Sequence, residues 1–306
     1  MNFYSKKNMT GFKKQNAKRK LAVLVTGMLA VAAVFFAISC KNIEKAIPLS
    51  PPGYDLNKPV KYKMPEDLTE ISGFAFHNGK NDSVYAEQDE EGFLFNLKLG
   101  DKKASYTKFG KSGDYEDVAI CRGQVIMLKS DGTLFTFPFS QVRTKEAANV
   151  QKIKGELPEG EFEAMCADEK SGLIYVLCKH CADEKTSKSS SGYILKLQPN
   201  GTLKQTGSFV IDVTEIEHLA NKKRVPFRPS AMAKNTFTNE WYILSSVNKM
   251  LVVADANWKV KNVYPLSVTL FGQPEGMAFD NQRNLYISNE GDQLSAGNIL
   301  KFSYEK

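Results

Sequence analysis

Five stretches of this 306-residue chain repeat one short pattern: an apolar or Pro residue, Ser or Glu, a small or acidic residue, a bulky apolar residue, then Ala or Cys. They are Ile71 to Ala75, Tyr115 to Ala119, Phe162 to Cys166, Pro229 to Ala233 and Pro274 to Ala278, and each is followed by a turn and a β-rich run. The second column reads Ser72, Glu116, Glu163, Ser230 and Glu275, at intervals of 44, 47, 67 and 45 residues. That spacing suits a four-stranded blade, so the repeats predict a β-propeller with oxygen-bearing side chains at equivalent places.

Counting strands fixes the number of blades at five. In the first repeat strands fit Gly73 to His77, Ser83 to Glu87, Phe93 to Leu97 and Ser105 to Phe109, and the next three repeats offer the same set. The fifth offers Met277 to Asp280, Leu285 to Ser288 and Ile299 to Ser303 and then ends, so Val60 to Met64 is expected to supply its outer strand and close the ring. The long third interval is read as two insertions. One is a polar loop, Ala182 to Ser191; the other, Val213 to Lys223, carries Ile216, Leu219 and Ala220 at helical spacing and predicts one short helix against the rim. The fold class is therefore all-β, with aromatics such as Tyr85, Phe95, Phe135, Tyr175, Trp241, Tyr242 and Tyr286 expected between blades.

The formal net charge of +7 misleads about partners. Seven basic residues and no acid lie in the first 39 positions, and beyond them 34 basic residues face 34 acidic ones, which removes the electrostatic case for nucleic acid. The basic segment leads into an apolar run, Leu21 to Phe36, and then Ala37-Ile38-Ser39-Cys40. This is the layout of an export signal. Its end resembles the lipobox of bacterial lipoproteins, which implies residues 1–39 as signal peptide, lipidation at Cys40 as the membrane attachment, and, with Lys41 following, an outer-membrane lipoprotein facing the periplasm or the surface. An uncleaved signal anchor is the alternative. Residues 40–57, with Pro48, Pro51, Pro52 and Gly53, read as a tether, and residues 58–306 as the propeller domain.

Propeller geometry gathers the second column at one mouth of the central channel: Ser72, Glu116, Glu163, Ser230 and Glu275. Glu70, Asp114, Glu161, Arg228 and Gln273 stand two residues earlier, and the facing loops add Glu87, Asp89, Glu90, Lys129, Asp131, Lys179, Ser246, Asn248, Asn289 and Glu290. Three glutamates in one ring raise one another's pKa unless a cation or a basic side chain compensates. Oxygen-only donors from several strands suit Ca²⁺ better than Mg²⁺. The bland alternative is a solvated acidic rim neutralised by Arg228 and Lys129.

At these residues the chain resembles the SdiA-regulated family of bacterial exported five-bladed propellers, distantly similar to NHL and YWTD repeat proteins. The resemblance rests on Glu70 to Phe76, Gly113 to Ala119, Ser130 to Phe135 and Gln273 to Phe279, and covers roughly residues 60 to 306. It implies a calcium site on acidic positions, which map here to Glu116, Glu163 and Glu275 with Asp117 or Glu70 nearby; it implies no reaction.

The remaining chemistry is sparse. Cys178-Lys179-His180-Cys181 has the spacing of a redox dithiol or half a zinc site, but neither a thioredoxin-like strand-to-helix setting nor a second ligand pair is evident; a local disulfide is the sharper reading and buried or idle thiols the bland one, and Cys121 and Cys166 are expected to pack as small apolar residues. His77, His180 and His218 fall in unrelated places, which argues against a serine triad. Two functions follow: a membrane-attached binding module for a protein or small-molecule ligand, with calcium ordering the channel mouth, or a metal-dependent hydrolase of lactones or phosphoesters using the same cation.

Overall fold

The computed structural model describes residues 50–181 and 188–305. The signal segment, Cys40, the first part of the tether and residues 182–187 of the polar loop lie outside the described residues.

Five antiparallel four-stranded sheets form the blades. The first is β2 (Ile71–Ala75), β3 (Val84–Gln88), β4 (Phe93–Leu97) and β5 (Ser105–Lys108); the second is β6 (Tyr115–Cys121), β7 (Gln124–Lys129), β8 (Leu134–Pro138) and β9 (Gln151–Ile153). The third, with the longest strands, is β10 (Gly160–Asp168), β11 (Leu173–Cys181), β12 (Ser189–Leu197) and β13 (Leu203–Asp212). The fourth is β14 (Ala231–Asn235), β15 (Glu240–Ser245), β16 (Met250–Ala254) and β17 (Val260–Pro265). In the fifth, β18 (Pro274–Phe279), β19 (Leu285–Asn289) and β20 (Asn298–Phe302) receive β1 (Val60–Lys63), which pairs antiparallel with β20 from Val60 opposite Lys301 to Lys63 opposite Asn298. The N-terminal strand thus closes the ring and covers an edge that would otherwise be unpaired.

Burial is greatest in the middle strands of the blades and least in the outer ones, and the sequence pattern follows it. Five of the six residues of β15 are buried, whereas β17 alternates with exposed Lys261, Asn262 and Pro265. Middle strands packed on both faces read as continuous apolar runs; outer strands with one wet face read as alternation. The core is correspondingly divided into five clusters, one at each seam between neighbouring blades. Six of the seven aromatics expected at seams are buried there, and half-buried Tyr175 packs against Trp241 with ring centroids 4.6 Å apart.

Three local expectations need correction. Ser189 to Ser191 are strand rather than loop: they pair with Asp212, Ile211 and Val210 of β13, and buried Ser190 donates its hydroxyl to the Cys178 carbonyl at 3.0 Å. The helix, α1 (Val213–Leu219), is shorter than expected, capped by Asp212, whose carboxylate accepts from the Thr214 N–H. Its buried stripe is Val213 and Ile216, while Leu219 is exposed. Finally, the end of the expected tether belongs to the packed body. Tyr54 and Leu56 are buried in the seam between the fourth and fifth blades, and the Tyr54 hydroxyl donates to the Arg283 carbonyl at 2.7 Å.

Candidate functional site

The second-column residues reach the channel through backbone irregularity. Four of the five inner strands slip register with their neighbour near their start, between Ile71 and Phe74, Tyr115 and Asp117, Phe162 and Ala164, and Pro274 and Gly276. The residues skipped are Ser72 with Gly73, then Glu116, Glu163 and Glu275. A β-bulge leaves one residue unpaired and re-aims its side chain. In the fourth blade no slip occurs, and Ser230 precedes β14.

The skipped glutamates form one electrostatic group. Burial, then the charge of Glu163, pushes Glu116 up to about 9. The same two causes push Glu275 up to about 8. Burial also raises Glu163, which the Lys179 ammonium partly offsets by pairing with its Oε1. Burial alone would pull Lys179 down, but its bond to Glu163 and the charges of Glu116 and Glu275 hold it above the usual lysine range. The Glu163–Lys179 ion pair thus stands beside two glutamates whose protonated forms are favoured by burial.

Below this ring lie acids used differently. Asp117 accepts from its neighbour Val118 N–H at 2.8 Å through Oδ1 and from Met165 N–H of the third blade at 2.7 Å through Oδ2, so its carboxylate joins two blades. Glu87 is fully buried; its Oε1 accepts from Gly73 N–H at 2.6 Å, and its Oε2 has no hydrogen-bond partner. Burial first, then the nearby acids Asp117, Glu116 and Asp89, raises Glu87 well above the carboxylate range. A third group stands toward the seam of the fifth and first blades: burial, then the charges of Asp89 and Glu70, raises Glu290, and burial with Glu70 raises Asp89.

The serines serve the scaffold. Ser230 donates to the Pro274 carbonyl at 2.8 Å and accepts from Ser246 N–H at 3.2 Å, and Ser288 donates to the Ser72 carbonyl at 2.8 Å, so two further seams are bridged at the same level. The compensating cation is neither of the two expected. Lys129 lies over the Tyr115 ring at 5.7 Å, and Arg228 donates to the Lys179 carbonyl at 3.4 Å. Asn289 is buried and donates to the Leu270 carbonyl and to Asn298 Oδ1. Lys179 and Glu87 are residues that sequence reasoning placed at the mouth without giving them a role. The signal for Lys179 was its place inside the Cys178 to Cys181 pair, which forms a disulfide.

The donor set is chemically suited to a hard divalent cation, being all carboxylate oxygen, with Glu87 Oε2 left over. In this arrangement, among the described residues, no three His, Cys, Asp or Glu side chains stand close enough to hold a metal ion. The opposite end of the channel is different in kind. It holds a cavity of about 730 Å³ lined by Phe74, Met165, Met232, Met277 and Phe279, with Asp168 and Lys234 paired at 3.4 Å on its wall.

Comparison with known proteins bears on the same segment. Residues 198–294 match the SdiA-regulated family. The SdiA-regulated match begins just after β12 and runs past β19, so it takes in Arg228, Ser230, Glu275, Asn289 and Glu290 but not Glu116, Glu163 or Lys179. No curated protein matches the chain. Among solved structures, the glutaminyl cyclase of Myxococcus xanthus superimposes with a TM-score of 0.53 at 15% identity, covering 81% of this chain and 96% of that one. The PQQ-bound aldose sugar dehydrogenase of Streptomyces coelicolor does so with 0.50 at 10% identity, covering 84% and 100%. At such identities the likeness concerns the propeller fold alone.

Proposed function

We propose that this SdiA-regulated propeller is an envelope lipoprotein, attached to the outer membrane through Cys40, that acts as a binding module with a calcium site at the acid-lined mouth. The observation that carries this reading is the set of bulges at Glu116, Glu163 and Glu275, which turns three carboxylates toward one opening that holds a single paired ammonium. Glu116, Glu163 and Glu275 would hold the ion only by closing toward one another, since as they stand no three acids among the described residues are close enough to share it, and its charge would hold an oxygen-bearing group of a partner at the mouth. The histidines lend hydrolysis no support: His77 stacks on Phe139 at 3.9 Å, His218 lies in α1, and His180 is exposed.

Titration calorimetry of the purified full-length protein with CaCl₂ tests the site. A binding signal and a raised melting temperature are expected, both lost in the double variant Glu116→Gln with Glu275→Gln; no signal from the parent overturns the calcium reading. Turnover of lactones or phosphoesters that depends on calcium and is abolished by Glu116→Gln would replace binding by catalysis. Attachment is tested separately, by incorporation of labelled palmitate into the parent and its absence from Cys40→Ser.

A further inference from the structure

We propose that the cavity at the end of the channel away from the acids binds an amphipathic acid, a small molecule whose apolar chain fills the chamber and whose carboxylate sits at the rim with Lys170 and Lys234. This second site lies apart from the acid-lined mouth and needs no calcium there.

The chamber is a product of the repeat. Its fifth column is small in every blade, and Ala75, Ala119, Cys166, Ala233 and Ala278 all line the cavity, leaving about 730 Å³ open. That is the size of pockets that take small ligands. In the fourth column Met165, Met232 and Met277 stand beside Phe74 and Val118, and methionines adapt their shape to an irregular apolar guest. Water held among such groups finds few partners, so an alkyl chain that displaces it is favoured. The entrance is apolar in part as well: Phe237, at the rim, is 45% exposed.

The charges around the rim select the head group. Each acid on the wall is committed to donors of the protein itself. Asp280 Oδ1 accepts from the N–H groups of Gln282 and Asn284, and its Oδ2 accepts from the side chains of Asn81, Asn284 and Tyr286. Asp168 accepts from Ser171 N–H at 3.0 Å and pairs with Lys234, and Glu169 accepts from Arg122 N–H at 2.7 Å. The cations are less committed. Among the described residues Lys170 and Arg283 are in no ion pair; Lys170 is exposed, and the Arg283 guanidinium lies over the Phe237 ring at 4.5 Å. Lys234 meets Asp168 at 3.4 Å and, with three N–H groups, has others to donate. An anionic head thus finds available cations at this rim, whereas a cationic head finds carboxylates already occupied.

Titration calorimetry of the purified full-length protein in calcium-free buffer uses laurate, octanoate and dodecyltrimethylammonium, each below the concentration at which it forms micelles. Laurate is expected to bind at least tenfold more tightly than either of the others. It is also expected to slow the labelling by N-ethylmaleimide of Cys166, partly exposed on the cavity wall, read by mass spectrometry on the peptide that contains it. Lys170→Gln with Lys234→Gln is expected to lose at least tenfold in laurate affinity, and Lys170→Arg with Lys234→Arg to keep it. Absence of laurate binding, or binding that leaves Cys166 labelling unchanged, overturns the site. Equal binding of laurate and dodecyltrimethylammonium by the parent overturns the acid as the ligand class, whether or not the double variants fold, and so does unchanged laurate affinity in the Gln pair.

Discussion

Gly73→Ala is expected to cost about 3 kcal/mol of folding stability or more, because overpacking and the loss of buried hydrogen bonds act at one point. A Cβ on Gly73 would stand 2.3 Å from Asp117 Oδ1 and 2.6 Å from Asp117 Cα, distances that side chains do not tolerate. Neither neighbour can yield cheaply. The Cα belongs to the adjoining inner strand, and the carboxylate accepts from Val118 N–H and Met165 N–H in buried bonds that moving it would break. Gly276 presents the same problem, with its Cβ 2.4 Å from the Ser72 carbonyl oxygen and 2.5 Å from Ser288 Oγ, the two ends of an inter-blade hydrogen bond. Gly272, also near the mouth, has nothing within 4 Å of its Cβ and serves as the control, with Gly272→Ala expected within about 0.5 kcal/mol of the parent. Urea unfolding followed by the fluorescence of Trp241 and Trp258, stacked at 4.2 Å, reads all three. A Gly73→Ala midpoint equal to that of Gly272→Ala would show that the inner strands are less tightly packed than their geometry requires.

That third column, Gly73, Asp117, Ala164, Ala231 and Gly276, explains much of what the sequence makes legible. Inner strands crowd around an axis, so a position facing the neighbouring strand must be small, and the repeat carries small residues there apart from Asp117. Blade number, the closing strand and the seam aromatics follow from spacing and alternation, because each blade is one hydrophobic unit that cannot be buried alone. Packing by isolated residues left a fainter trace. Tyr54 and Leu56 are buried without any period around them, and the serines at 189 to 191 resemble a loop until β13 is there to pair with them.

The site was legible as a column but not as a set of partners. Whether a residue at the start of an inner strand faces the channel depends on a bulge, and a one-residue slip reverses a side chain's direction. Glu163 and Lys179 meet because slips on two strands coincide, which strand counting does not reveal. Ser230 shares the column of Glu116 and Glu275, yet lies where the fourth blade has no slip, and it is buried as a bridge to Pro274. The acids also separate by depth: Asp117 and Glu87 bond to backbone N–H groups of the inner strands, while Glu70 is exposed at the rim.

The depth of the ring gives a dependence on pH whose sign can be worked out. Glu116 and Glu275 have folded values of about 9 and about 8 against 4.5 in the unfolded chain, so between these limits the unfolded state gives up protons that the folded state keeps. Stability is then greatest at the acid end of that window and falls as pH rises through it, by several kcal/mol in all. The oppositely shifted carboxylates, Asp131, Asp168 and Asp212 among them, titrate below 3.8 and leave the slope between pH 5 and pH 9 unchanged. Glu116→Gln with Glu275→Gln keeps the shape of the protonated acids without their titration. The urea midpoint of the parent should fall steadily from pH 5 to pH 9 in calcium-free buffer, while that of the double variant falls less steeply, since Glu87, Asp117, Glu163, Asp89 and Glu290 are raised in the same direction and remain, and it exceeds the parent's at pH 9. Parallel curves would mean that the two glutamates are hydrated and ionised at neutral pH. In that case the mouth would be an open acidic rim, and Lys179 one exposed ammonium among several.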